Sequence, residues 1–152
     1  MAPAAGTGPA AAARAAQSES ELGDDEVSLV IIDIGNQKLY ACQIEILREV
    51  VISTAKGNYN VIGDTEEPAR LHNHLGLFQV YIKNKNHYSS LYNCPMPYSM
   101  FFHEGHAIHA TEPKFYPLLG APASHGCVRA NSDDAKWLFE HTPIKTKVIV
   151  AP

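Results

Sequence analysis

The residues best equipped for chemistry lie together at Ser124-His125-Gly126-Cys127-Val128-Arg129. A cysteine attacks as its thiolate, and a free thiol with a pKa of ~8.5 is mostly protonated at neutral pH. An imidazole beside it can take that proton and hold the resulting ion pair. Gly126 lets the backbone turn tightly and lets a carbonyl group approach. The amides around Gly126 and Cys127 can then donate to a developing oxyanion. These parts point to acyl transfer through a thioester on Cys127. If the segment is extended, Arg129 shares the Cys127 face, where a guanidinium suits a substrate carboxylate. The alternative for Arg129 is a structural ion pair with Asp133, Asp134 or Glu140. Ser124 is placed with the substrate-binding residues, with turn capping as its alternative.

Two histidines compete to be the base. His125 is two residues before Cys127, and the intervening glycine can break the geometry that would align them. His109 stands eighteen positions upstream in Ala107-Ile108-His109, with Pro113, Pro117, Gly120 and Pro122 between. Those breakers predict a loop over 110–123 that brings two short strands side by side, so that His109 faces Cys127 across a sheet. His109 is therefore the expected base, and His125 and Gly126 complete the catalytic set.

The elements that must position these groups are mostly strands. Val27 to Ile34 is an apolar, β-branched run closed by Gly35-Asn36. Lys38 to Leu47 alternates in part, Val50 to Thr54 gives a third run, and Leu77 to Lys83 a fourth. Tyr98 to Phe102 and Ala107 to His109 are shorter, and Lys147 to Val150 closes the domain. The pattern predicts a mostly β fold, a sandwich or open barrel, with one capping helix near the C-terminus. That helix starts at Asn131 or Ser132 as N-cap, carries Asp133 and Asp134 in its first turn, and ends at Thr142-Pro143. Residues 1–26 are Ala/Pro/Gly-rich and then polar, and are expected to be a disordered linker. The folded domain is expected over 27–152.

Composition narrows the function. Among the 152 residues the formal net charge is −4, and the Lys and Arg residues never occur two in a row, so a nucleic-acid footprint is not expected. No stretch reaches the ~20 apolar residues that span a bilayer. The Ala-rich start lacks the basic and Leu/Val/Phe-rich regions of an export signal. Cys42, Cys94 and Cys127 are far apart, which argues against a disulfide framework, and Cys42 and Cys94 are read as structural. His72, His74, His103, His106, His109 and His125 invite a metal. His103-Glu104-Gly105-His106, however, has i, i+3 spacing, where a helical zinc-protease motif needs i, i+4. No metal and no cofactor is expected, and oligomeric state is not legible.

His109, a gap, then Ser-His-Gly-Cys-Val-Arg resembles the signature of the L,D-transpeptidase catalytic-domain family. Leu118-Leu119-Gly120-Ala121-Pro122-Ala123 is similar to the family's lead-in. Asp134-Ala135 with Trp137-Leu138, and Thr142 to Val148, resemble its closing helix and last strand. Asn73-His74-Leu75-Gly76-Leu77-Phe78 keeps only the Gly and Phe of the usual Thr-Pro-x-Gly-x-Phe turn, and Ala110 stands where a Gly often follows the histidine. The resemblance implies a cysteine enzyme that cross-links or trims peptidoglycan stem peptides in the cell envelope or periplasm, acting outside the cytoplasm. Cys127 would attack the third residue of a donor stem peptide, and the thioester would pass to an amine or to water. His109 would be the base, and the Ala110 carbonyl would orient its ring. An L,D-carboxypeptidase, or a cell-wall-binding module with weak turnover, is the alternative on the same fold.

Overall fold

The structure, a computed structural model, describes residues 25–55, 60–61, 73–90, 92–124 and 126–152. The expected linker therefore lies outside the described residues except for its last two. In chain order the strands are β1 (Leu29–Asp33), β2 (Lys38–Cys42), β3 (Ile46–Val51), β4 (Asn60–Val61), β5 (His74–Gln79), β6 (Ile82–Ser89), β7 (Cys94–His103), β8 (His106–Ala110) and β9 (Val128–Ala130). Helix α1 (Ser132–His141) and β10 (Lys147–Ala151) follow, and a 3-10 turn at Pro113–Leu118 interrupts the β8–β9 connection.

Alternation of side chains divides these strands between core and solvent. Val30 and Ile32 of β1, Leu39 and Ala41 of β2, and Val148 and Val150 of β10 face inward. One sheet runs β3-β2-β1-β10-β5-β4, with β1 and β10 parallel and Ile32 opposite Val150. The second runs β6-β7-β8-β9, antiparallel until β8 and β9, which are parallel. Between them Ile32, Leu39, Ile52, Met100, Ile108 and Leu138 are almost completely buried. Each such side chain stabilises the fold by about 1.5–3 kcal/mol. A mostly β sandwich with one helix near the C-terminus is what the sequence predicts.

The helix begins as its sequence dictates. Asn131 accepts from the Asp134 N–H at 2.8 Å, a cap contributing about 1 kcal/mol, and Asp133 and Asp134 sit in the first turn, where they complement the helix dipole. Ala135 and Leu138 are buried, and α1 packs against β7 and β8, the hairpin that carries His109. Arg48 of β3 reaches Asp134 at 2.7 Å and lies over the Trp137 ring at 4.7 Å, tying the helix to the first sheet.

Three expected strands are divided differently. Lys38 to Leu47 is not continuous, because Gln43, Ile44 and Glu45 form the turn between β2 and β3, with the Gln43 N–H on the Glu45 carbonyl at 3.0 Å. Val50 to Thr54 is likewise not one strand: β3 ends at Val51, and Ser53 forms only an isolated bridge. Leu77 to Lys83 splits between the two sheets. The Val80 N–H bonds the Thr146 carbonyl beside the first sheet at 2.9 Å, and the Tyr81 N–H bonds Phe101 of the second at 2.9 Å.

Candidate active site

The parallel pair β8 and β9 sets the register of the site. His109 lies opposite Arg129 and Ile108 opposite Val128, so Cys127, just before β9, comes level with Ala107. His109, Cys127 and Arg129 therefore project to one side, and all three line a single cavity of about 460 Å³. That volume falls in the range of small-ligand sites. The β6–β7 hairpin supplies one wall through His87, Tyr92 and Met96. Thr111, Glu112 and Phe115, from the connection after β8, supply the other. The loop predicted from the prolines and glycines over 110–123 does bring the two strands together.

The buried His109 ring has its Nδ1 2.6 Å from the Ala110 carbonyl oxygen. A carbonyl only accepts, so this contact assigns the proton to Nδ1 and leaves Nε2 as an acceptor. The ring orientation expected from Ala110 is present. Burial holds the His109 pKa down to about 4; the Ala110 hydrogen bond opposes this, and the charges of Arg129 and His87 add to it. Cys127 is a half-buried free thiol whose Sγ lies 3.8 Å from the Gly105 carbonyl. Burial pushes its pKa up to about 11; the Ala107 N–H and Arg129 pull it down, and Cys94 adds to the rise. Both shifts favour the neutral forms, a thiol and a neutral imidazole, in the resting pair. Burial thus works against both charges of the ion pair anticipated from the residue types.

The backbone around Cys127 is fixed by groups distant in sequence. Gly126 has φ +141°, a region that favours glycine. Its N–H donates to Ser124 Oγ at 3.2 Å, while the Ser124 hydroxyl donates to the Cys127 carbonyl. Both hydrogen-bonding capacities of Ser124 are engaged within its own loop. The Gly126 carbonyl accepts from Asn73 Nδ2 at 2.8 Å, and Asn73 Oδ1 accepts from the Ala55 N–H at 2.8 Å. On the other side Ser53 exchanges backbone bonds with Arg129 at 3.0 and 2.9 Å, and the Thr54 carbonyl accepts from Ala123 and Ser124, each at 2.9 Å. Thr54 is in turn held by the buried Gln37 side chain, which donates to its hydroxyl at 2.7 Å and accepts from its N–H at 3.0 Å. The sequence assigned no site role to Asn73, Ser53, Thr54 or Gln37. Asn73 stands at the first position of the altered Thr-Pro-x-Gly-x-Phe turn, the one signal that could have flagged it.

Arg129 is half-buried, with its guanidinium 5.3 Å from the Phe115 ring centre and one nitrogen 3.5 Å from the Ala123 carbonyl. No salt bridge to it occurs among the described residues, and Asp134, one of its anticipated partners, is paired with Arg48. Cys94, read as structural, lines the same cavity as Cys127, because β7 begins there at the cavity wall. Cys42 lies apart from it, half-buried in β2. His125 and His72 lie outside the described residues. No helix among the described residues is long and apolar enough to cross a membrane.

Known proteins share the fold that holds this site. The L,D-transpeptidase from Mycobacterium smegmatis superposes with a TM-score of 0.69 at 20% identity, over 84% of this chain and 59% of that one. The L,D-transpeptidase from Xylanimonas cellulosilytica superposes with a TM-score of 0.65 at 26% identity, over 95% of this chain and 70% of that one. The protein named Probable L,D-transpeptidase YbiS of Escherichia coli is 41% identical over 51 residues, which is 34% of this chain and 16% of that protein. The matched segment thus spans under a fifth of this relative's length. The model of the YkuD family, described as the L,D-transpeptidase catalytic domain, matches residues 28–150. That match takes in both sheets, α1 and every described residue of the cavity, and by it the chain belongs to the YkuD family of L,D-transpeptidase catalytic domains.

Proposed function

We propose that this chain is a cysteine acyl-transferase of peptidoglycan stem peptides, working through a thioester on Cys127. The observation that carries the reading is the cavity shared by Cys127, just before β9, and His109 of the parallel β8, with His109 locked in the tautomer a base requires. In the first stage Cys127 Sγ attacks the carbonyl of the third stem residue while its proton passes to His109 Nε2. The oxyanion forms beside the Cys127 N–H, since the Gly126 N–H is engaged by Ser124. The C–N bond to the terminal D-alanine then breaks, and His109 returns the proton to the leaving amine. In the second stage an acceptor amine gives its proton to His109 and takes the acyl group, which restores the thiol.

Neutral resting partners suit this sequence. Proton transfer accompanies attack, and the charges develop only when substrate has filled the cavity and displaced water. Arg129 favours the thiolate and disfavours the imidazolium, and its lack of a carboxylate partner among the described residues leaves it for a substrate carboxylate. A peptidoglycan substrate places this activity outside the cytoplasm.

The test is D-alanine release from a stem tetrapeptide, with and without a second stem peptide as amine donor. Cross-linked dimer formed only by protein with intact Cys127 is the expected result. Tripeptide alone, whatever the amine concentration, moves the function to L,D-carboxypeptidase. Neither product moves it to a binding module.

A further inference from the structure

The acyl-transfer chemistry leaves His87, an imidazole of the same cavity, without a role. His87 stands on β6 opposite Met96 of β7, and both line the cavity from the hairpin side. The hairpin brings the ring toward the reacting residues. It meets Phe101 edge-on, with centres 5.1 Å apart, and Phe101 pairs with Ala107, the residue level with Cys127. His87 is also close enough to His109 for its charge to act on that ring, as Arg129 does from the adjoining strand.

The hydrogen bonds of β6 fix where the neutral His87 ring carries its proton. Asn84 Oδ1 accepts from the Asn86 N–H at 3.1 Å, which identifies the other amide atom as nitrogen. That nitrogen lies 3.5 Å from His87 Nδ1. An amide N–H only donates, so Nδ1 accepts and the proton sits on Nε2. Asn84 is exposed and lies outside the cavity, whereas His87 is half-buried and lines it. The ring thus turns Nδ1 toward solvent and the Nε2–H toward the cavity. His109 has the reverse arrangement, with its proton on Nδ1. One imidazole is set as an acceptor and the other as a donor.

What such a donor meets follows from its neighbour. Arg129 is half-buried in the same cavity and has no carboxylate partner among the described residues. Two side-chain donors beside one base suit an anion, and the acyl-transfer reading supplies carboxylates on the donor peptide. We propose that His87 is a specificity-determining residue, its Nε2–H donating to the donor-peptide carboxylate that Arg129 binds. The proposal rests on the acyl-transfer reading and adds to it a contact made by the β6–β7 hairpin. The carboxylate is that of the terminal D-alanine or one borne by the side chain of the third residue.

The test is calorimetric binding of a stem tetrapeptide to the full chain carrying Cys127→Ala, which holds the peptide without forming a thioester. In that background His87→Phe keeps a ring against Phe101 and removes the donor. Binding should weaken about ten- to a hundredfold, the worth of a hydrogen bond to a charged group. His87→Ala should lose as much, and His87→Gln, which returns an N–H, should recover most of the loss. Circular dichroism checks that each variant is folded. Two further peptides, one amidated at the D-alanine carboxylate and one at the third residue, locate the anion. One of them should bind at least as weakly as His87→Phe binds the unmodified peptide, and lose nothing more in that variant. Undiminished binding by His87→Phe and His87→Ala would overturn the proposal. A loss that persists with both amidated peptides would overturn it as well, because the ring would then act by packing alone, and so would an absence of binding to the Cys127→Ala chain. Acyl-adduct formation with Cys127 intact is read separately. Its failure, with His87-dependent binding preserved, would strike the reaction and leave this contact standing.

Discussion

Alkylation of Cys127 across pH tests the electrostatics of the resting site. Burial raises this thiol from its ordinary 9.0 to about 11. At pH 7 the thiolate fraction falls about a hundredfold, since each unit of pKa is a factor of ten. A more basic thiolate is also more nucleophilic, and with a Brønsted slope of about 0.4–0.5 this returns close to tenfold. Protonation wins, so the net expectation is a rate about tenfold below that of a free cysteine peptide. The assay is iodoacetamide modification followed by intact mass, in a Cys42→Ser, Cys94→Ser background so that only Cys127 reports. The rate should climb about tenfold per pH unit through pH 9 without a plateau. Arg129→Gln should lower it further, because that charge favours the thiolate. A plateau below pH 8 would refute the reasoning, since it would mean that His109 already holds the proton.

Two further outcomes follow from named contacts. Asn73→Ala leaves the Ala55 N–H and the Gly126 carbonyl unsatisfied in a buried place, at about 1–3 kcal/mol each. Denaturant unfolding should show a loss of about 2–6 kcal/mol, and a loss under 1 would contradict the clamp. His109 is buried with its pKa lowered from 6.5 to about 4, so between those values the unfolded chain binds more protons. Its contribution is complete above pH 6.5 and is lost as pH falls through 4, about 3 kcal/mol in all. Unfolding measured at pH 7 and pH 4 should show that His109→Gln lacks this component of acid destabilisation. Equal pH dependence in the two proteins would show that the ring is not held neutral.

What the sequence made legible was the chemistry carried by single residue types. Cys127 and His109 could be picked out because few residues serve as nucleophile and base, and the prolines and glycines between them announced the loop that joins β8 and β9. The α1 cap was equally readable, because Asn131 and Asp134 are three residues apart and meet by helical geometry alone. What escaped depends on distant partners. Asn73 matters through Gly126, 53 residues away, and Gln37 through Thr54, 17 away, and neither spacing leaves a local pattern. Leu77 to Lys83 reads as one strand because Val80 and Tyr81 both favour β structure; only their hydrogen bonds to opposite sheets separate them. The i, i+3 spacing of His103 and His106 argues against a metal on a helix. On a two-residue hairpin the same spacing makes them cross-strand neighbours.

The most direct test of the central claim is intact mass after mixing the protein with a stem tetrapeptide, beside Cys127→Ala. An acyl adduct of the tripeptide that appears only when Cys127 is present, and decays when an amine is added, is the predicted result. D-alanine release by the Cys127→Ala protein at the parent rate would contradict the account, because the acyl group would then not pass through this thiol.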